Sequence, residues 1–312
     1  MLNPLGKFNS STTNEISYPH YSKIKRIYNT LNENITFTLT LFLLLVLVIV
    51  AIFAAWLSPY DPLLVVGQEY LWPGADTLHP LGTDALGRDE LAGILYGARI
   101  SLFVGLTATL LGLSIGVSLG AISGYFGGVV DDIIVRIIEI FQTIPHFVLL
   151  IVVVAVLPPS IWSVVFGIAL VSWDFMARLT RAEFRSLTSK EFVLAAKSEG
   201  YRHSKIIVSE ILPNAFPSII AGASVMVANA ILMESALSFM GLGDPNSISW
   251  GSMIGSGREV LRTHWYLTAI PGAFIVITVL TLNLFADHVT DIMNPKRKKT
   301  KATVVKKIKV NR

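Results

Sequence analysis

Six stretches of this chain are each long and apolar enough to cross a lipid bilayer, and nothing else limits its fold so strongly. The hydrocarbon core is about 30 Å thick, so a spanning helix needs about 20 mostly apolar residues. Such runs cover Ile35–Leu57, about Ile100–Tyr125, Ile133–Leu157, Ile161–Ala177, Phe216–Leu242 and Leu267–Phe285. The expected fold class is an all-α integral membrane protein with six transmembrane helices. Composition excludes the alternatives. Only 15% of the 312 residues are charged and 53% are hydrophobic, whereas soluble domains carry about 25% charged residues. So apolar a chain without a short repeat is neither disordered nor fibrous.

The first run is too long for a signal-peptide core, and Ser58-Pro59 offers no cleavage site, so it reads as a retained anchor. Six spans put both termini on one side. All but five of the 25 Lys and Arg residues fall before the first span, between the fourth and fifth, or after the sixth. The exceptions are Arg88, Arg99, Arg136, Arg258 and Arg262. Cytoplasmic loops collect Lys and Arg. Both termini and the 178–213 loop are therefore expected in the cytoplasm, with 58–99 and 243–266 outside. The resulting division is a cytoplasmic tail at 1–34, an anchor and external loop at 35–99, a five-helix domain at 100–295 and a basic tail at 296–312. Residues 1–20, rich in Asn, Ser and Thr, read as a disordered tail. Lys296–Lys299 looks nucleic-acid-like in isolation, but beside a span it reads as an anchor on anionic lipid, and no nucleic acid is expected.

Cysteine is absent, which removes disulfides and thiolate metal sites and fits a bacterial envelope protein. The six histidines form no i, i+4 ligand pair, so no metal site is expected. No phosphate loop, G-x-S-x-G, H-E-x-x-H or kinase signature occurs. No catalytic residue is therefore assigned, and the chain is not expected to hydrolyse ATP itself.

Within the spans two features stand out. Gly112, Gly116, Gly120 and Gly124 lie on one helical stripe, where small residues let two membrane helices approach backbone to backbone. The stripe serves static packing, or it marks a subunit interface, a translocation path or a core helix that slides. Glu234, followed by Ser235 and Ser238, sits inside the fifth run. A central ionised group is costly in lipid, so Glu234 and Ser238 either line a polar pathway or meet a neighbouring subunit.

The loop TSKEFVLAAKSEGYRHSKIIVSEILPNAFP, at 188–217, is the most informative segment. Thr188 and Glu191 have capping-box spacing, and Gly200 fits a helix stop. Between them lies a short helix. Ser204 can cap a second one, which Pro213 ends. A short helix with side chains Phe192, Val193, Leu194, Ala195 and Ala196, and so with exposed Ala and Phe, reads either as a knob for another protein's groove or as an interfacial helix.

This segment resembles the EAA loop of binding-protein-dependent ABC importer permeases, at Ala195, Ala196, Gly200, Leu212 and Pro213. It departs at Leu194, where Glu is usual, and at Glu210, where Ile or His is usual. Further stretches resemble the dipeptide/oligopeptide and nickel subgroup: Leu81–Ser101, Gly124–Asp132, Trp173–Glu183, Glu234–Ile254 and Leu282–Lys298. The resemblance covers about Ile35 to Lys298. It implies the type I ABC importer permease fold and a multi-pass place in the cell membrane. It also implies four kinds of partner contact: a second homologous permease subunit, two ATP-binding subunits, an extracytoplasmic substrate-binding protein and the membrane. ATP and Mg would be bound by the partner ATPases, with no cofactor in this chain. Glu191, Phe192, Leu194, Ala195, Ala196, Gly200, Glu210, Leu212 and Pro213 would form the ATPase-coupling element. Asp84, Gly87, Arg88, Asp89 and Trp250 would be receptor-docking residues. The implied cargo is a peptide, with nickel or a metal chelate as the alternative. An ion-coupled secondary transporter would share the span count but would need an ion site and commonly shows inverted repeats. A membrane scaffold without transport would leave the polar external loops unexplained.

Overall fold

A computed structural model describes residues 35–293. Both terminal tails, including the basic run from Lys296, lie outside the described residues. Helix α1 (Ile35–Leu57) buries Phe37, Thr40, Ala51 and Ala54 and leaves most of its remaining side chains outward. It lies against α2 (Glu90–Phe126) and against the last helix, α9 (Tyr266–Met293). Apolar side chains such as Ile52 and Trp56 stay exposed on α1, as suits a helix with lipid for solvent.

Helix α2 begins well before the expected Ile100. Asp89 caps it by accepting the Ala92 N–H at 2.8 Å, so the helix takes in the mixed turns Glu90–Arg99 ahead of the expected run. It ends at Gly127, with φ +64°. The third run is not one straight span. It forms α3 (Gly128–Thr143) and α4 (His146–Val156), bent by 81°. Pro145 supplies the cause: it has no N–H, and it holds Ile144 in extended geometry at φ −101°, ψ 129°. Helix α5 (Ile161–Thr188) continues past the expected end at Ala177. Counting the bent pair as one, the described residues contain six candidate spans.

The 188–217 loop departs locally from expectation. Thr188 belongs to α5, and its hydroxyl donates back to the Phe184 carbonyl at 2.7 Å, so no capping box forms with Glu191. The short helix α6 (Glu191–Ser198) starts after Lys190 without a side-chain cap. Ser204 does not cap the next helix but lies within α7 (His203–Phe239). Nor does Pro213 end it. A π-helical turn at Ile206–Ile211 lies directly ahead, and the helix continues through Pro213 to Phe239. Such turns accommodate a residue that cannot donate to the regular ladder.

The bundle is built round α2, which packs along α5 and α7, with α9 on the far side of α7. At the end away from α6, α8 (Trp250–Gly257) lies across α2, α7 and α9. Ser249 caps α8 through a reciprocal pair with Ser252.

Candidate functional site

Helix α6 is held by two residues. Val193 is fully buried and Ala196 nearly so; three apart, they share a face. They join a core of Tyr125 from α2, Phe184 from α5, and Ile206, Ile211 and Ala215 from α7. The opposite face is free: Glu191, Ala195 and Lys197 are exposed, as are the apolar Phe192 (38%) and Leu194 (51%). Gly200 closes the helix at φ +77°. The Tyr201 N–H reaches the Ala196 carbonyl and the Gly200 N–H reaches that of Lys197, both at 3.1 Å. This double bond is the Schellman stop, which needs a left-handed residue at Gly200. Leu212 is partly buried, Pro213 is exposed, and the Glu210 carbonyl accepts from Asn214.

Tyr125 fastens the knob from beneath. Its hydroxyl is hydrogen-bonded to His203 Nδ1 at 2.8 Å, and Lys197 Nζ lies 5.3 Å from its ring centre. Beside it, Asp131 at the start of α3 accepts from Arg181 Nε at 2.5 Å and Nη2 at 2.7 Å. Ser123 donates to the same carboxylate at 2.5 Å, and Arg185 lies at 3.3 Å. A two-pronged guanidinium–carboxylate pair of this kind fixes orientation as well as charge. Sequence reading singled out neither Tyr125 nor this cluster. The i, i+4 spacing of Arg181 and Arg185, following Asp131, was the available signal.

The glycine stripe is occupied within the chain. A Cβ on Gly116 would lie 2.5 Å from the Trp173 carbonyl oxygen, one on Gly120 2.4 Å from that of Ala177, and one on Gly124 2.6 Å from that of Arg181. Gly112 faces Met226 and Ser172. The stripe is thus the seam between α2 and its neighbours α5 and α7, with no room for a partner subunit. Glu234 and Ser238 also turn inward. Glu234 is 2% exposed and accepts from Ser101 of α2 at 3.0 Å and from Ser238 at 2.7 Å.

Of the expected docking residues, three are interior. Trp250 is fully buried, with its indole N–H on the Ile94 carbonyl at 3.0 Å. Asp89 caps α2 and pairs with His79 at 2.9 Å. Gly87 has φ +72° and packs against the Gly67 carbonyl, where a side chain would not fit. Asp84 and Arg88 pair at 2.6 Å and line a cavity of about 270 Å³ with Glu90 and Asp244.

One polar group lies at the break between α3 and α4. Asp174, buried on α5, accepts from Gln142 at 2.8 Å; His146 and Arg178 lie 3.6 and 3.8 Å away. These residues are remote in sequence, so only the fold brings them together. Among the described residues no cluster of three or more His, Cys, Asp or Glu side chains could hold a metal ion.

Comparison with known proteins agrees with this architecture. The chain is 36% identical over 255 residues to the dipeptide transport system permease protein DppC of Haemophilus influenzae, spanning 80% of this chain and 86% of that one. It is 35% identical over 255 residues to the oligopeptide transport system permease protein OppC of Bacillus subtilis, spanning 80% and 82%. A solved structure of the MetNI methionine ABC transporter, in an inward-facing conformation, shares the fold. Its TM-score is 0.54 at 15% identity, over 64% of this chain and 96% of that one. Residues 116–299 match the family model for the inner membrane component of binding-protein-dependent transport systems, and the chain belongs to that family.

Proposed function

We propose that this chain is one half of the membrane pathway of an ATP-driven importer of short peptides, and that α6 couples it to a separate ATPase. Both termini and α6 face the cytoplasm, where the basic residues gather. The full machine contains a second homologous permease subunit, two ATP-binding subunits that hold ATP and Mg, and an extracytoplasmic binding protein. The peptide cargo is supported by relatives whose names specify dipeptide and oligopeptide transport. Asp84 and Arg88 remain docking residues for the binding protein.

The observation that carries the coupling role is the mounting of α6. One face is locked into α2, α5 and α7 through Val193 and Ala196, while Phe192, Leu194 and Ala195 stand outside. A push on α6 is therefore delivered to three spans at once. Alternating access requires a partner that interacts differently with the two states. ATP binding by the docked subunit supplies that difference. Glu191, Gly200, Glu210, Leu212 and Pro213 set the shape of the element rather than touching cargo.

Gly200 gives the test. No neighbour crowds it, so its demand is backbone alone. Gly200→Val, β-branched in a left-handed position, should abolish peptide uptake by the complete complex while the chain stays in the membrane. Gly200→Asn, which tolerates that region, should keep most uptake. Full uptake by the valine variant in an assembled complex would end the coupling assignment. Loss of nickel uptake alone, with peptide uptake intact, in a strain lacking this chain would end the peptide assignment.

A further inference from the structure

Several charged groups on the broken span and α5 serve no packing role, and they share one surface. Arg136 and Glu139 of α3 are bonded at 2.8 Å, with side chains 78% and 52% exposed. Further along α3 comes Gln142, also exposed, and beyond the break His146. Helix α5 adds Arg178, 54% exposed, whose Nη1 lies 3.4 Å from Gln142 Oε1. Asp174 sits beneath them, midway along α5, and its Oδ1 has no hydrogen-bond partner.

Depth gives this surface its meaning. Asp174, beneath this surface, lies midway along the 28-residue α5, about 20 Å from its start at Ile161 at the usual 1.5 Å rise per residue. Ionised groups within spans do not face lipid; they face a bundle interior or a water-filled cavity. In this chain the surface is uncovered. Uncovered large side chains midway along α2 and α9 are apolar, as with Leu106 and Leu110 on α2 and Val276, Leu280 and Leu284 on α9, whereas on α3 exposed Ile137 and Ile140 alternate with the charged Arg136 and Glu139. The α2 and α9 side chains suit lipid, and the Arg136–Arg178 face does not.

We propose that this face lines a water-filled translocation pathway shared with the second permease subunit, and that Arg178 is a contact point for the carboxylate terminus of a peptide in transit. The proposal rests on the peptide-import reading above. Arg presents a planar fork of donors matched to a carboxylate. Asp174, buried beneath Arg178 with its Oδ2 3.8 Å from the Arg178 Nη2, positions that fork from below.

The chain has no cysteine, so any introduced thiol on it is unique. In the complete complex in proteoliposomes, Glu139→Cys and Thr143→Cys should react with a charged, water-soluble thiol reagent at least tenfold faster than Leu284→Cys, read on this chain. Equal rates, or no reaction at all positions, would overturn the pathway by making the face lipid-covered or a dry subunit contact. With binding protein loaded with a free-carboxylate dipeptide, Arg178→Gln should lower peptide moved per ATP hydrolysed at least fivefold. Arg178→Lys should recover part of the loss. An unchanged ratio in Arg178→Gln would overturn the carboxylate contact. A Glu139→Cys complex that labels as expected, beside a wild-type complex that moves no peptide, would keep the pathway and overturn both the contact and the peptide reading.

Discussion

Asp131 and Glu234 are both buried carboxylates near opposite ends of the bundle, yet they are held by different chemistry. Asp131 meets two guanidinium prongs of Arg181, a second arginine and one serine. Glu234 is met by the hydroxyls of Ser101, Ser238 and, at 3.4 Å, Ser235. The first is a charge pair that ties the start of α3 to α5. The second is a cradle of rotatable donors between α2 and α7. A pair of opposite charges is directional and leaves a stranded ion when one member is removed. Hydroxyls re-aim, and so tolerate a neutral replacement. The α6 end, where the proposed coupling would transmit force, is thus the end with the stiffer fastening.

Each carboxylate depends on a glycine that lets α2 come close, and the two glycines differ. At Gly120 the obstacle to a Cβ is backbone, the Ala177 carbonyl at 2.4 Å. At Gly105 it is a side-chain atom, Ile231 Cγ1 at 2.6 Å, with the nearest backbone oxygen, that of Val227, at 3.5 Å, so the strain falls on one side chain rather than on backbone. Overpacking costs about 1–3 kcal/mol. Gly120→Ala should lie at the top of that range, about 3 kcal/mol, and Gly105→Ala at the bottom, about 1 kcal/mol, in unfolding of the solubilised chain. Between them comes Asp131→Asn, at about 2 kcal/mol once the partial exposure of Arg181 is allowed for. In a double-mutant cycle with Arg181→Gln, the two losses should overlap by about 1 kcal/mol. Equal costs for the two glycines, or additive losses in the cycle, would erase the contrast between the ends.

How far the sequence foretold this arrangement depended on which force set each feature. Bilayer thickness sets the length of an apolar run, so the six spans were legible. Helix ends were not, because α2 starts early on turns that Asp89 caps and α5 continues on polar turns held by Asp131–Arg181. Proline marked the break at Pro145, but a length count alone passed over it. In the 188–217 loop, Gly200 was legible because a left-handed stop selects glycine. The buried face of α6 was not: residues 192–196 are all apolar, and periodicity cannot choose among them. Gln142, His146, Asp174 and Arg178 came together only through tertiary packing across the bent span, and the glycine stripe gave its spacing without its partner.

The smallest effect offers the finest test of the two chemistries. Glu234→Gln keeps the side-chain length and one acceptor oxygen, and it replaces the other with a donor. Ser101, Ser235 and Ser238 can each turn a hydroxyl lone pair toward that donor, so every polar atom retains a partner. The change should cost under about 0.5 kcal/mol, against about 2 kcal/mol for the matching Asp131→Asn. Glu234→Leu should cost more than the glutamine, about 1–3 kcal/mol, because it strips acceptors from buried hydroxyls. The order of the two neutralisations, read on the same solubilised protein, is therefore the informative quantity. If Glu234→Gln proved as damaging as Asp131→Asn, the hydroxyls would be holding a fixed charge, and the cradle would be as stiff as the pair at the α6 end.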